Sequence, residues 1–252
     1  MIIKLEPGFN NENKLFRICA KLKSFYPHHI KDYKNIPVII NNFNRLECLQ
    51  LQINWLESAG MTNIYIIDNA STYPPLLEYY KSSKYLVFQL TKNVGHLAFW
   101  DTHVQQWFKN QYYILTDPDI IPIEECPLDV VSYFLELLKN RPSITKVGFG
   151  LKIDDIPDFY PRKQEVIEWE KEFWNEPLGN DLYKAKIDTT FALYKPNTRY
   201  QQWETTLRTG GKFIARHLPW YENPEKISEE ELFFKKVTTA VSSWYKDETY
   251  NG

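Results

Sequence analysis

The chain has little with which to build a covalent scaffold. Its 252 residues include three cysteines, Cys19, Cys48 and Cys126, far apart and without a CxxC pair. An odd, scattered set excludes a disulfide framework and fits reduced thiols in a cytosolic compartment. Long apolar runs are also missing. The opening "MIIKLEPGFNNENKLFRICAKLK" scatters charge where a signal peptide needs an unbroken apolar stretch, and no later segment suffices to span a bilayer. The expectation is a cytoplasmic protein with no membrane-spanning segment, peripheral membrane association being left open. Charge of one sign is not in surplus: a formal net charge of -2 offers nucleic acid no electrostatic footprint. No repeat, low-complexity tract or Pro/Gly/Ser-rich linker divides the chain, so one large domain is expected.

Aromatic residues, by contrast, are plentiful at 16%. Such an excess lines sites for flat or ring-shaped ligands, and it also fills large cores; both readings stand.

The first 35 or so residues read as polar and irregular, an arm packed on the domain. From Ile36 a rhythm sets in. "IPVIINNF" is a short apolar run, and in "RLECLQLQINWLESAG" Leu46, Leu49, Ile53 and Leu56 recur at helical spacing with Gly60 placed to end the helix. "NIYIIDNAS" precedes helical "PPLLEYYKSS", "YLVFQLTKNVG" precedes helical "HLAFWDTHVQQWFKN", and "YYILTDPDII" precedes helical "LDVVSYFLELLKN". Strands alternating with helices imply an α/β domain, a mostly parallel central sheet with helices on both faces. Further on, "ITKVGFGLKI" and "DTTFALYKP" read as strands, "QEVIEWEKEFW" and "SEEELFFKKVTTAVSSW" as helices, and "GGKFIARHLPWYENP" as a loop with an extended start. "SEEEL" reads as a helix start, with Ser228 and Glu231 at capping-box spacing.

In such sheets the ligand crevice lies beyond the carboxyl ends of the strands. There this chain places Asn41 and Asn42, then Asp68 and Asn69, then Asn93 and Gly95, then Asp117 and Asp119. Asparagine and aspartate also make ordinary turns after strands, and for the asparagines that reading stands beside the functional one. The two aspartates carry more. Residues two apart on a strand project to one side, and Pro118 between them withdraws an N–H, so regular pairing should stop there. Two carboxylates held close repel, and burying them uncompensated costs several kcal/mol or forces protonation. A divalent cation removes the conflict, and carboxylates without accompanying cysteine select hard ions such as Mg2+ or Mn2+.

The succession of "IIDNAS", "KNVGH" and "LTDPDI", each closing a strand, resembles the nucleotide-sugar-binding half of GT-A-fold glycosyltransferases, family 2-like enzymes in particular, with "DPD" as their DxD motif. The resemblance covers roughly 36–122 well, and it implies a transferase domain over 36–252 with 123–252 as the acceptor-side half. It implies that Asp117 and Asp119 bind a metal ion and the diphosphate of a nucleotide sugar. Asp68 would then meet the base or ribose, with Asn69, Asn93 and Gly95 about the nucleotide. Asn41 and Asn42 would border the base, and Arg45 would reach a phosphate. The implied acceptor is a glycan or lipid-linked saccharide, in polysaccharide biosynthesis.

Many such enzymes use a late histidine as a further metal or diphosphate ligand, which singles out His217 in "ARHLPWYENP". Arg216 beside it can pair with phosphate. A structural histidine is the alternative for His217, and core filling the alternative for Trp220 and Tyr221. The family often places Glu-Asp at the start of a later helix as catalytic base, and no such pair stands there. Asp188 in "KIDTTFALY" is the candidate base, with a strand-edge turn as its alternative and Asp154 and Asp155 as rivals. A haloacid-dehalogenase-like phosphatase also begins with strand and DxD, but about 35 residues to "LKIDD" are too few for the elements that fold needs. A sugar-nucleotide pyrophosphorylase would need a glycine-rich loop where "IINNFNR" has none. A non-catalytic glycan-binding domain is the remaining alternative.

Overall fold

A computed structural model describes residues 1–8, 14–24, 32–187, 190–199 and 205–238. The chain does not open irregularly. Ile2–Leu5 forms a strand, β1, and Lys14–Ser24 a helix, α1. Alternation in β1 and the 3-4 spacing of Phe16 and Ala20 were hidden by the polar residues around them, yet Leu5, Phe16 and Ala20 are all buried.

The expected strands follow as β2 (Val38–Asn42), β3 (Ile64–Asp68), β4 (Leu86–Leu90) and β5 (Tyr113–Thr116). They pair in parallel in the order β1-β4-β3-β2-β5. Successive side chains enter two different cores. Val38, Ile40, Ile66, Val87 and Ile114 join one, under α2 (Glu47–Ser58) and α3 (Pro74–Ser82). Ile39, Ile67, Phe88, Tyr113 and Leu115 join the other, under α1 and α4 (Val104–Phe108). That period of two explains why these strands read as nearly continuous apolar runs: both faces are covered.

One expected helix is broken. "HLAFWDTHVQQWFKN" is not one helix: a 3-10 turn at Gly95–Leu97 is followed only by the five residues of α4. Phe99 and Trp100 are drawn into the core between them, so local propensity yields to burial. "GGKFIARHLPWYENP" has the extended start expected of it: its residues up to His217 belong to β11, Thr206–His217, which is irregular between Thr209 and Ile214. There Gly211 takes a positive φ of 59°, a conformation open to glycine.

The second half adds β6 (Ile120–Pro122), α5 (Val130–Lys139), β7 (Lys146–Leu151), α6 (Lys163–Lys171), β8 (Pro177–Gly179), β9 (Leu182–Lys184) and β10 (Ala192–Tyr194). β10 lies antiparallel between β5 and β7, and β7 pairs in parallel with β11. Among the described residues only β6, β9 and β10 run against the rest, so one mostly parallel sheet crosses both halves. The last described helix, α7 (Glu229–Val237), starts where "SEEEL" places it, with Ser228 Oγ accepting from Glu231 N at 3.1 Å. The remainder of "VTTAVSSW" past residue 238 lies outside the described residues.

The aromatic surplus is largely core. Tyr113 and Tyr194 stack at 5.0 Å across β5 and β10, and Phe134, Phe149 and Phe191 follow one another at 5.1 Å. Gly148 lets β7 approach β10 through this layer: a Cβ there would sit 2.6 Å from Phe191 O and 2.8 Å from the Ala192 Cβ. Gly148→Ala is expected to cost about 1–3 kcal/mol through overpacking, read as a lower urea midpoint at unchanged slope.

Candidate functional site

Strand order reverses between β2 and β5: the chain steps outward from β2 to β3 to β4, then returns to pair β5 on the other side of β2. At that switch point a cleft of about 180 Å3 opens beyond the carboxyl ends of the strands. Asn41, Phe43 and Arg45 line it from the end of β2, Asn69 from β3, and Asn93, Gly95 and His96 from β4. Asp117, Pro118 and Asp119 line it from β5, and Phe234 and Thr238 from the end of the described chain.

"YYILTDPDII" is not one strand. Pairing stops at Thr116, as Pro118 requires, and Pro118 and Asp119 form a turn before β6. A turn, rather than the two-residue repeat of a strand, brings both aspartates to the cleft. From below, Gln52 of α2 fixes the turn: its amide nitrogen lies 3.1 Å from Thr116 Oγ1, 2.8 Å from Asp117 O and 3.0 Å from Ile120 O. Gln52 is fully buried, and it escaped the sequence reading. Its signal was there: a lone polar residue on the face that Leu49, Ile53 and Leu56 share.

From the far side β11 delivers His217. Its last residues pair with β6, His217 opposite Ile120, and Leu218 N donates to Asp119 O at 2.9 Å. His217 Nε2 then lies 3.5 Å from Asp119 Oδ2, and its ring packs edge-on against Trp220. Burial alone would raise the Asp119 pKa, but the imidazole and Arg45 outweigh it and hold the carboxyl below its usual value. Asp119 Oδ1 is buried with no protein partner, as is His217 Nδ1. Among the described residues no three His, Cys, Asp or Glu side chains stand grouped closely enough to hold a metal ion between them.

The opposite wall is an asparagine clasp. Asn69 Nδ2 and Asn41 Nδ2 donate to Gly95 O at 2.8 and 3.4 Å. Asn69 Oδ1 accepts from Val94 N at 2.9 Å and Asn93 Oδ1 from Gly95 N at 2.8 Å. Gly95 has a φ of 69°, so the loop turns in a region that suits glycine. Asn41 Oδ1 is left buried without a partner.

Other expected residues are placed elsewhere. Asp68 and Asn42 are fully buried and do not line the cleft. Asp68 accepts from Ser71 N, Gln89 Nε2 and Tyr80 Oη, while Asn42 Nδ2 donates to Tyr80 Oη. Asp68 therefore braces α3, and burial raises its pKa. Arg216 points away from His217, as neighbours on a strand do, and pairs with Glu124 and Asp155 at 2.8 Å each. Asp155 also accepts from Tyr221 Oη, Asp154 pairs with Lys152, and Trp220 is core. Asp188 lies outside the described residues.

Arg45 borders the cleft but is engaged. Its guanidinium pairs with Glu231, lies 3.5 Å from Glu222 and sits 3.8 Å from the Phe234 ring centre. Glu230 meanwhile accepts from Leu46 N and Glu47 N, capping an α2 terminus that lacks a side-chain cap of its own. "SEEEL" is thus a helix start and also the anchor that holds α7 over the cleft.

No family model matches the chain, and no curated protein matches it. By fold and cleft it is an α/β protein with a polar site at the switch point of a mostly parallel sheet. Among solved structures it is similar to glucosyl-3-phosphoglycerate synthase from Mycobacterium tuberculosis, solved with Mn2+ and UDP-glucose. That match has 12% identity and a TM-score of 0.41, over 77% of this chain and 63% of that one. The same enzyme solved with phosphoglyceric acid gives 10% identity and a TM-score of 0.41, over 76% and 64%. A mycobacterial protein gives 10% identity and a TM-score of 0.45, over 82% and 72%. The chain thus spans less than two thirds of the synthase's length.

Two predictions follow from the geometry. Gln52→Leu removes the amide's hydrogen bonds to Thr116 Oγ1, Asp117 O and the buried Ile120 O, and a loss of about 1–3 kcal/mol in urea unfolding is expected. Burial pushes Glu222 up to about 8, with Arg45 pulling it down and Glu231 pushing it up. Between the ordinary glutamate value near about 4.3 and that raised value, the folded state keeps a proton the unfolded state has lost. Stability should therefore fall as pH rises through this window, and Glu222→Gln should flatten the fall in urea midpoints measured at about pH 5 and about pH 8.

Proposed function

We propose that the chain is a metal-dependent glycosyltransferase that moves a sugar from a nucleoside-diphosphate donor to a hydroxyl of a glycan or lipid-linked acceptor. The observation that carries this reading is Asp119 Oδ1, a buried carboxylate oxygen without a protein partner, on a residue that lines the switch-point cleft. Such an atom is costly unless a ligand completes it. The carboxylates of Asp117 and Asp119 both border the cleft and are donors of the kind Mn2+ or Mg2+ takes, so that two protein ligands, completed by diphosphate oxygens rather than by a third side chain, are the set we assign. These residues would hold the ion, which when bound supplies charge neutralisation for the diphosphate leaving group.

The chain's own residues then divide the work. Gln52 holds the aspartate turn still, and His217 orients Asp119. The asparagine clasp shapes the nucleoside wall, where Asn41 Oδ1 offers an acceptor to a base N–H or ribose hydroxyl. Phe43 and Phe234 give that space apolar rims. We assign the donor half to 36–122, the acceptor side to 123–252, and the general base to Asp188. Cytoplasmic work in polysaccharide assembly completes the proposal.

Titrating UDP, GDP and dTDP with and without Mn2+ tests this. At least one should bind in a metal-dependent way, and Asp119→Ala should abolish the metal dependence while leaving the unfolding free energy within about 1 kcal/mol of wild type. With a matched donor, Asp117→Ala or Asp119→Ala should cut turnover at least about a hundredfold. Sugar binding indifferent to nucleotide and metal would favour the glycan-binding reading, and phosphate release from simple esters the phosphatase.

A further inference from the structure

α7 is held to the domain in an uncommon way. Surface helices ordinarily dock by an apolar stripe, yet the buried side chains of this one are two carboxylates, Glu230 and Glu231. Its aromatic residues are only half-buried, Phe233 with its ring 5.0 Å from that of Tyr73 and Phe234 with its ring 6.0 Å from that of Phe43. Glu231 pairs with Arg45, and Glu222, just ahead of the helix, stands 3.5 Å from the same guanidinium. Glu230 accepts from Leu46 N and Glu47 N, so the two carboxylates grip consecutive residues, 45–47, and their holds are made and lost together.

Arg45 is also the one lysine or arginine among the described residues that line the cleft, and it shares that lining with Asp117 and Asp119. With Glu231 against it, its charge is already answered when an anion arrives. We propose that α7 is an autoinhibitory lid: Glu231 occupies the guanidinium that a phosphate entering the cleft needs, and the phosphate takes Arg45 by displacing Glu231 and the helix with it. This rests on the reading of the cleft as a diphosphate site. Carboxylate and phosphate compete for the same fork of N–H donors, and the phosphate brings more charge and more acceptor oxygens. An apolar seat would be indifferent to such a ligand, whereas a seat made of carboxylates on a guanidinium is one that an anion can contest. Nine residues are too few for a helix to persist alone, so α7 off its seat loses its internal hydrogen bonds.

Hydrogen exchange of the full chain, read by mass spectrometry, reports that loss. Inorganic pyrophosphate with Mn2+, and separately UDP, GDP and dTDP with Mn2+, should speed exchange of the α7 amides at least about tenfold, where a ligand that left the helix seated would slow it. Glu231→Gln, nearly unchanged in shape, should exchange fast without ligand and bind pyrophosphate or nucleotide at least about tenfold tighter than wild type, because the competent state is no longer withheld. Circular dichroism checks that the variant folds; if it does not, exchange in the wild-type chain decides alone. A nucleotide that binds while α7 keeps or gains protection overturns the lid and leaves the donor reading standing. Opening driven by pyrophosphate, with no nucleotide bound, upholds the lid and removes the donor reading. Affinity in folded Glu231→Gln equal to or below that of wild type overturns the lid, and failure of both proteins to bind pyrophosphate or nucleotide overturns lid and donor reading together.

Discussion

The parallel pairing of β2 with β5 is the constraint on which the rest depends. The steps from β2 to β3 and from β3 to β4 pass through α2 and α3, which bury their apolar faces in one core. The return from β4 to β5 passes over the opposite core, with α4. Connections that leave a sheet on opposite faces part at the strand where direction reverses, and the backbone there cannot close the gap. The cleft is therefore a consequence of topology. Chemistry enters only through the residues that end β2, β3, β4 and β5.

What lines that gap is held from outside the parallel half. Asp119 is fixed by Gln52 on one side and by β11 on the other, through Leu218 N and His217. β11 reaches it because β6, a strand of only three residues, pairs with its far end. α7 closes the other rim by an unusual attachment: it buries Glu230 and Glu231 and leaves Leu232 exposed by 55%. Its hold is made of charge against Arg45 and of hydrogen bonds to the α2 terminus. A buried ion pair of this kind contributes little net stability, but losing one partner is costly because the other charge is stranded. Glu222 shows the same arithmetic. One guanidinium serves two carboxylates, Glu231 buried and Glu222 partly exposed, and desolvation keeps a proton on the second well above the usual range.

The parallel half was legible because both of its faces are covered, which leaves strands as unbroken apolar runs bounded by Asn, Asp and Gly. α2 announced itself through the helical spacing of Leu49, Ile53 and Leu56, and α3 and α5 through their places between strands. The helix expected after β4 failed where burial overrode local pattern. Phe99 and Trp100 sit in a region too apolar to reveal that it is mostly turn, and farther on β11 continues through Gly210 and Gly211, where a strand would be expected to break. Of the residues expected beyond the strand ends, Asn41, Asn69, Asn93, Gly95, Asp117 and Asp119 line the cleft. Position after a strand could not tell which of two adjacent residues faces the cleft. Asn41 does and Asn42 does not; Asn69 does and Asp68 does not. Side chains alternate on a pleat, so an error of one residue in register exchanges a lining residue for a brace.

Asp68 and Asp119 show why a carboxylate at a strand end is not by itself a site. Both are shielded, and for each burial pushes toward protonation. Asp68 is answered within the fold, by Ser71, Tyr80 and Gln89, so its oxygens are satisfied by elements they help to pack. Asp119 is answered only in part: His217 takes one oxygen and the other has no protein partner. A fold that spends Gln52, β6 and the end of β11 on fixing that carboxylate leaves one of its oxygens without a protein partner on a residue that lines the cleft, whereas every contact of Asp68 is internal.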